Sequence, residues 1–160
     1  WRLAAADEPG FARWMIRDAD SRLTYRERRA VDEWLVSGKP FHVMRDHPYH
    51  MRPIMACSFG GVRGIIADMA GKIASWKAAA QTDAYGCDET FLEAIVWPLV
   101  KDNALVHDTF GSYDGQRRPF PTPAESGHYV GARTYEDNHI GHDDRLRFLR
   151  DYSALAEASP

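Results

Sequence analysis

The sequence predicts an α/β fold, a mixed sheet flanked by helices, from three observations. Apolar runs over 13–17, 41–44 and 104–106 have strand length, and each stops abruptly at carboxylates or imidazoles. Between them, apolar residues recur at helical spacing with recognisable start and stop signals. The chain of 160 residues, 44% hydrophobic and 12% aromatic, is long enough to bury a core as one domain over 1–160. Polar strand ends bear on function because open α/β sheets bind ligands beyond the carboxyl ends of their strands.

Residues 1–12 read as a polar lead-in with a turn at Pro9-Gly10, followed by the strand Arg13-Trp14-Met15-Ile16-Arg17. Thr24-Tyr25-Arg26-Glu27 matches a capping box, in which hydroxyl and carboxylate each satisfy an amide at a helix start. Val31, Trp34 and Leu35 supply the apolar stripe, and Gly38 and Pro40 stop it, predicting a helix over 24–37. Phe41-His42-Val43-Met44 alternates as a strand and runs into Arg45-Asp46-His47-Pro48-Tyr49-His50. The small residues of 53–61, ending in Gly60-Gly61, let the backbone approach a ligand or another strand; a plain glycine turn is the other reading.

Ile65, Ile66, Met69, Ile73 and Trp76 predict a second helix over 65–79. After a turn over 83–86, Thr90-Phe91-Leu92-Glu93 repeats the capping-box pattern ahead of Ile95, Val96 and Pro98. Ala104-Leu105-Val106 reads as a short strand ending at His107-Asp108. Residues 111–127 lack periodicity and read as a long functional or mobile loop. Tyr129-Val130-Gly131 fits an edge strand, and Leu146, Leu149, Tyr152 and Leu155 mark a terminal helix from Asp143.

A net charge of −3 and a pI near 6.2 lack the electrostatic footprint of a nucleic-acid binder. No apolar run approaches the roughly 20 residues of a membrane helix, and the first residues lack the basic head and apolar block of a secretory signal. Cys57 and Cys87 are too few for a disulfide framework and lack metal-ligand spacing. They read as reduced thiols of a cytosolic protein, with a single bridge as the other option.

The chemistry centres on Asp18-Ala19-Asp20. On a strand, residues i and i+2 point to one side, so both carboxylates can converge on one cation. Hard oxygen ligands suit Mg²⁺ or Mn²⁺, which in turn hold a diphosphate. A D-x-D alone arises about once by chance in a chain like this. Its weight comes from the other polar strand ends, Asp46/His47/His50 and His107/Asp108.

Arg17-Asp18-Ala19-Asp20-Ser21-Arg22, Phe41-His42-Val43-Met44-Arg45-Asp46-His47-Pro48, Phe59-Gly60-Gly61, Asp88-Glu89-Thr90-Phe91-Leu92 and His107-Asp108 occur in that order. Over about residues 13–131 this set resembles GT-A-type bacterial glycosyltransferases. The likeness is to sugar-transferase-like proteins of polysaccharide loci and, more distantly, to the glycogenin-like family 8 enzymes. It implies a Rossmann-like nucleotide-diphospho-sugar transferase fold, with Mn²⁺ or Mg²⁺ as cofactor. The donor would be a nucleotide-diphosphate sugar and the acceptor a glycan or other hydroxyl. Asp18 and Asp20 match the metal-binding D-x-D, and His107 matches the late histidine ligand. Asp88 matches the Asp of the D-Q pair beside the donor sugar, with Glu89 in place of Gln, so these two are the catalytic candidates. Arg17, Arg22 and Arg45, with Asp46, His47, Gly60 and Gly61, are the substrate-binding candidates. The implied location is the cytoplasm, free or peripheral to the inner face of the membrane. A GT-A domain places nucleotide-binding βαβ units before its D-x-D, whereas 17 residues precede Asp18 here, so the chain is expected to be the C-terminal part of such a domain.

Several residues carry a second reading. Arg17 and Arg22 fit a structural network with nearby carboxylates as well as a phosphate contact. His47 and His50, flanking Pro48, fit loop organisation as well as ligand contact. His139, His142 and Asp143 have metal-like spacing, and Asp143 also fits a helix cap. Trp34 and Trp76 suit a core better than a sugar platform. Two other functions stand beside transfer: a binding module for sugar nucleotide or glycan without turnover, and a metal-dependent phosphohydrolase. The last expects further His and Asp ligands at helical spacing, which the sequence lacks.

Overall fold

In the computed structural model, which describes residues 2–80, 84–111, 113, 117–124, 127–137 and 139–158, four strands form one mixed sheet. These are β1 (Arg13–Arg17), β2 (Phe41–Arg45), β3 (Ser58–Val62) and β4 (Ala104–Asp108), in the order β1-β3-β2-β4. β3 runs antiparallel to both β1 and β2, and β2 pairs parallel with β4, Arg45 opposite Asp108. Two antiparallel steps restore direction, so β1, β2 and β4 all point the same way. Their carboxyl ends therefore meet along one side of the sheet.

Helices cover both faces. α1 (Tyr25–Ser37) starts as its sequence requires: the Thr24 hydroxyl accepts the Glu27 amide at 3.1 Å, and Gly38 ends it at φ 73°. With Phe120 and Val130 it covers the face carrying Met44 and Met15. The opposite face presents Trp14, Ile16, Phe41, Val43, Phe59 and Val106 to the main core. That core is closed by α2 (Met69–Ala80), α3 (Cys87–Phe91) and α4 (Trp97–Val100). A π-helical stretch, Leu92–Val96, joins α3 to α4. A proline ring clashes with the carbonyl four residues back, and the helix widens just ahead of Pro98. The terminal helix α5 (His142–Ala158) packs Phe148 against Tyr129 and Phe110. No helix among the described residues is long and apolar enough to cross a membrane.

The fold departs from the sequence expectations at five places. The polar lead-in contains a 3-10 helix, Arg2–Asp7, with Leu3 and Ala6 buried in the main core. Asp7 anchors it by accepting the Met69 and Ala70 amides at 2.9 and 2.8 Å, which caps α2. α2 begins at Met69, not 65, because Asp68 sits at φ 55° and its carboxylate accepts the Gly71 amide. α3 begins at Cys87 behind Gly86 at φ 80°, so Thr90 lies inside the helix and donates to the Gly86 carbonyl. Residues 129–131 turn at Gly131, φ 85°, and form no edge strand. The predicted turn residue Asp83 and parts of the 111–127 loop lie outside the described residues.

The fifth departure is β3 itself. Gly60 and Gly61 are interior strand residues, not a turn, and lie opposite Met15 and Trp14. The close approach they permit is to β1: a Cβ at Gly60 would stand 2.6 Å from the Trp14 carbonyl oxygen. Gly60→Ala is expected to lose about 1–3 kcal/mol by overpacking. Urea denaturation measures this, and an unchanged midpoint would remove the packing role.

Candidate functional site

The carboxyl end of β1 opens a cleft of about 700 Å³ between the 3-10 helix, α2 and α3. Arg2, Asp18, His50, Trp76, Asp88 and Glu89 are among the residues that line it. Arg2 organises its polar wall. One guanidinium nitrogen donates to the Asp18 carboxylate and the other to Asp88 Oδ2 at 2.5 Å. Asp88 is fixed further because its Oδ1 accepts the Glu89 amide at 2.9 Å. Glu89 contacts Arg52 at 3.3 Å, and Arg52 continues to Glu93 at 2.6 Å. Burial pushes the Glu89 carboxyl up, against the opposing pull of Arg52. Among the described residues the lining includes the cations Arg2 and Lys77 and the carboxylates Asp18, Asp88 and Glu89, the last also paired with Arg52 from outside the lining.

Asp18 and Asp20 part company. Residues 18–20 turn instead of continuing β1, with the Ser21 amide and hydroxyl donating to the Asp18 carbonyl at 3.3 and 2.9 Å. Strand alternation therefore does not align the two side chains. Asp18 enters the cleft, while Asp20 faces Arg133 at 3.3 Å in a separate surface hollow with Tyr135 and His139. His107 lies on the face covered by α1. Its Nε2 meets Glu33 at 2.9 Å and its Nδ1 meets His42 Nε2 at 2.8 Å. Asp18, Asp20 and His107 consequently do not fit one ion. Among the described residues no group of three or more His, Cys, Asp or Glu side chains is placed to hold one.

The other predicted binding residues serve internal contacts. Arg17 pairs with Glu27 and donates to the Ser21 hydroxyl at 2.9 Å, which realises the network reading. Arg22 is exposed, and its carbonyl accepts from Arg17 at 3.4 Å. Arg45 pairs with Asp108 at 2.7 Å, both buried, and Asp108 also accepts the Phe110 and Gly111 amides. Asp46 is buried against Arg26. His47 accepts the Tyr49 amide on Nδ1 and donates from Nε2 to the Asp144 carbonyl, at 3.1 Å each, tying the β2 end to α5. Gly60 and Gly61 lie in the sheet, as described above.

Arg2 is the site residue that sequence reasoning missed. It sits in a stretch with no periodicity and no motif, and its role comes from contacts 16 and 86 residues away. Trp76 is partly buried against the core and also lines the cleft, while Trp34 stacks on His42 and donates to the Lys39 carbonyl. Cys57 and Cys87 are unbridged. Burial pushes the Cys57 thiol up to about 11, which keeps it protonated and inert at neutral pH. His139 pairs with Asp137 and stacks on Tyr135, while His142 opens α5 and Asp143 lies in its first turn. Compared with known proteins, the chain matches no family model, no curated protein and no solved structure.

Proposed function

We propose that this chain carries the sugar-side half of a glycosyl-transfer site, which moves a sugar from a nucleotide-diphosphate donor to a glycan or other hydroxyl acceptor. One observation carries the reading. Asp18 and Asp88, candidates chosen on separate motifs 70 residues apart, share one guanidinium in a cleft at the carboxyl side of the sheet. Carboxylates that accept hydroxyl protons, an aromatic wall at Trp76 and a volume of about 700 Å³ suit a sugar-sized polar ligand. Glu89, a carboxylate in the cleft whose carboxyl burial pushes up, is the group assigned to take the acceptor hydroxyl proton. Holding donor and acceptor in register would be the protein's main contribution.

The carboxylates Asp18, Asp88 and Glu89 in the cleft wall oppose a bare diphosphate. Mn²⁺ or Mg²⁺ is accordingly part of the proposal as an ion that arrives with the donor. Mg²⁺ commonly binds through one or two carboxylates plus substrate phosphates. The expected location is the cytoplasm, where nucleotide sugars are made. A second reading, a module that binds without turnover, is favoured by Arg2, which already pairs with both Asp18 and Asp88.

Calorimetry with UDP-, GDP- and dTDP-sugars, with and without Mn²⁺, tests the proposal on the full-length protein. Mn²⁺-dependent binding of at least one sugar nucleotide is expected, weakened about tenfold or more in Asp88→Asn by loss of a charged hydrogen-bond partner. Absence of binding by every sugar nucleotide would overturn it. Binding without release of nucleoside diphosphate in the presence of acceptors would select the module.

A further inference from the structure

We propose that a second cleft, between the proline-rich segment 117–123 and α5, binds a monocarboxylate with an apolar body. The cleft measures about 510 Å³ and shares none of its described lining with the Asp18/Asp88 cleft, so the inference stands apart from the transferase reading. It opens beside Thr109 and Asp108, the last residue of β4, on the side of the sheet where α/β folds take ligands.

Charge and hydrogen bonding select the head group. Arg26 and Asp108 in the wall are already paired, with Asp46 and Arg45 respectively. Arg117 also lines the cleft, and among the described residues it has no carboxylate partner. Its side chain lies over Gly111, where a Cβ would stand 2.7 Å from the guanidinium Nη1. One uncompensated guanidinium balances one negative charge, and its planar fork fits a carboxylate; a phosphate dianion would stay half-neutralised. Two hydroxyls have capacity to spare. That of Tyr152 accepts the Ala124 amide at 3.1 Å, and among the described residues nothing accepts its proton. That of Thr122 is buried without a hydrogen-bond partner, a deficit that a ligand oxygen removes after rotation about χ1.

The rest of the wall selects an apolar body. Pro119, Phe120, Pro121, Pro123, Leu155 and Ala156 surround the few polar groups, the usual composition of a small-molecule pocket. Alternate prolines fix the backbone φ, so the wall is shaped before a ligand arrives. Main-chain bonds pin the segment as well. The Arg118 carbonyl accepts the Asp108 amide at 3.0 Å, the Arg118 amide donates to the Val106 carbonyl at 2.8 Å, and Arg26 donates to the Thr122 carbonyl.

The test titrates para-fluorophenylacetate into the full chain by fluorine NMR, with circular dichroism to verify the fold of each variant. Saturable binding is expected, weakened at least about fivefold in Arg117→Gln by loss of the charged fork. Ala156→Glu, an exposed position on the opposite wall, is expected to weaken it similarly by adding bulk and a like charge. The neutral para-fluorophenylethanol and inorganic phosphate are each expected to displace the probe only at concentrations at least about tenfold higher than unlabelled phenylacetate. No saturable binding, or affinity unchanged in both variants, would overturn the proposal. Phosphate competing as well as phenylacetate would overturn the carboxylate assignment, and the alcohol doing so would overturn the role of Arg117. None of these outcomes depends on sugar-nucleotide binding, so a failure here is distinct from a failure of the transferase reading.

Discussion

Asp46→Ala is expected to lose about 3–5 kcal/mol of folding stability, because it strands a buried guanidinium. Asp46 is 0% exposed and Arg26 is 5% exposed. Arg26 donates to Asp46 from Nε at 2.8 Å and from Nη2 at 2.9 Å, a two-pronged pair. The same carboxylate accepts the Val130 amide at 3.0 Å and the Thr109 hydroxyl. One side chain at the end of β2 thus ties together α1, the residue after β4, and the 127–131 turn. Arg26 is further enclosed by the Phe120 ring, 4.2 Å from its guanidinium carbon, and donates to the Thr122 carbonyl. Urea denaturation of Asp46→Ala, Arg26→Met and the double variant Asp46→Leu/Arg26→Met measures the effect. The double variant is expected to regain much of the loss, since two apolar groups leave no buried charge. A loss below about 1 kcal/mol in Asp46→Ala would place Asp46 outside the structural framework.

Acidification is expected to destabilise the fold steeply between pH 6.5 and 3, through histidines buried in the neutral form. Burial lowers His50 to about 3, helped by the nearby positive charges of His47 and Arg45. Its Nδ1 accepts the Asp46 amide at 3.0 Å, a bond that protonation at that nitrogen would destroy. His42 is likewise lowered to about 3 by burial and by His107, and burial also lowers His47 and His107. A folded value below the unfolded value near 6.5 means that the unfolded chain binds more protons between the two. The stability contribution is therefore whole above pH 6.5 and is lost as pH falls toward 3. At pH 5 the loss is on the order of 2 kcal/mol for each of His42 and His50, against a typical total of about 5–15 kcal/mol. Urea denaturation at pH 7.5 and 5, with potentiometric proton uptake on unfolding, checks the sign and the count. His50→Gln is expected to reduce the uptake by about one proton at pH 5. Equal stability at the two pH values would contradict neutral burial of these rings.

Where a feature depends on neighbours in the chain, it was legible. Thr24, Glu27 and Gly38 bracket α1 because capping uses contacts within one helical turn. The strand starts at Arg13, Phe41 and Ala104 were equally plain, as short apolar runs with nowhere to go but a sheet interior. β3 was harder. Its glycines weaken any strand signal, and their purpose is visible only once Trp14 is packed against them. The start of α2 moved for a local reason, the left-handed Asp68, that hydrophobic spacing alone does not report.

The sequence by itself determined that this is an α/β chain whose strands end in polar, chemically capable residues, because periodicity and capping are short-range properties. Only the tertiary structure decided which of those residues face an open cleft. Asp46, Asp108 and His107 turn inward to Arg26, Arg45, and the Glu33 and His42 pair, while Asp18 turns outward to meet Asp88 across Arg2. Aspartate in a buried ion pair and aspartate in an open cleft look alike in one dimension. The partner that separates them arrives from 16 to 86 residues away, and only folding brings it.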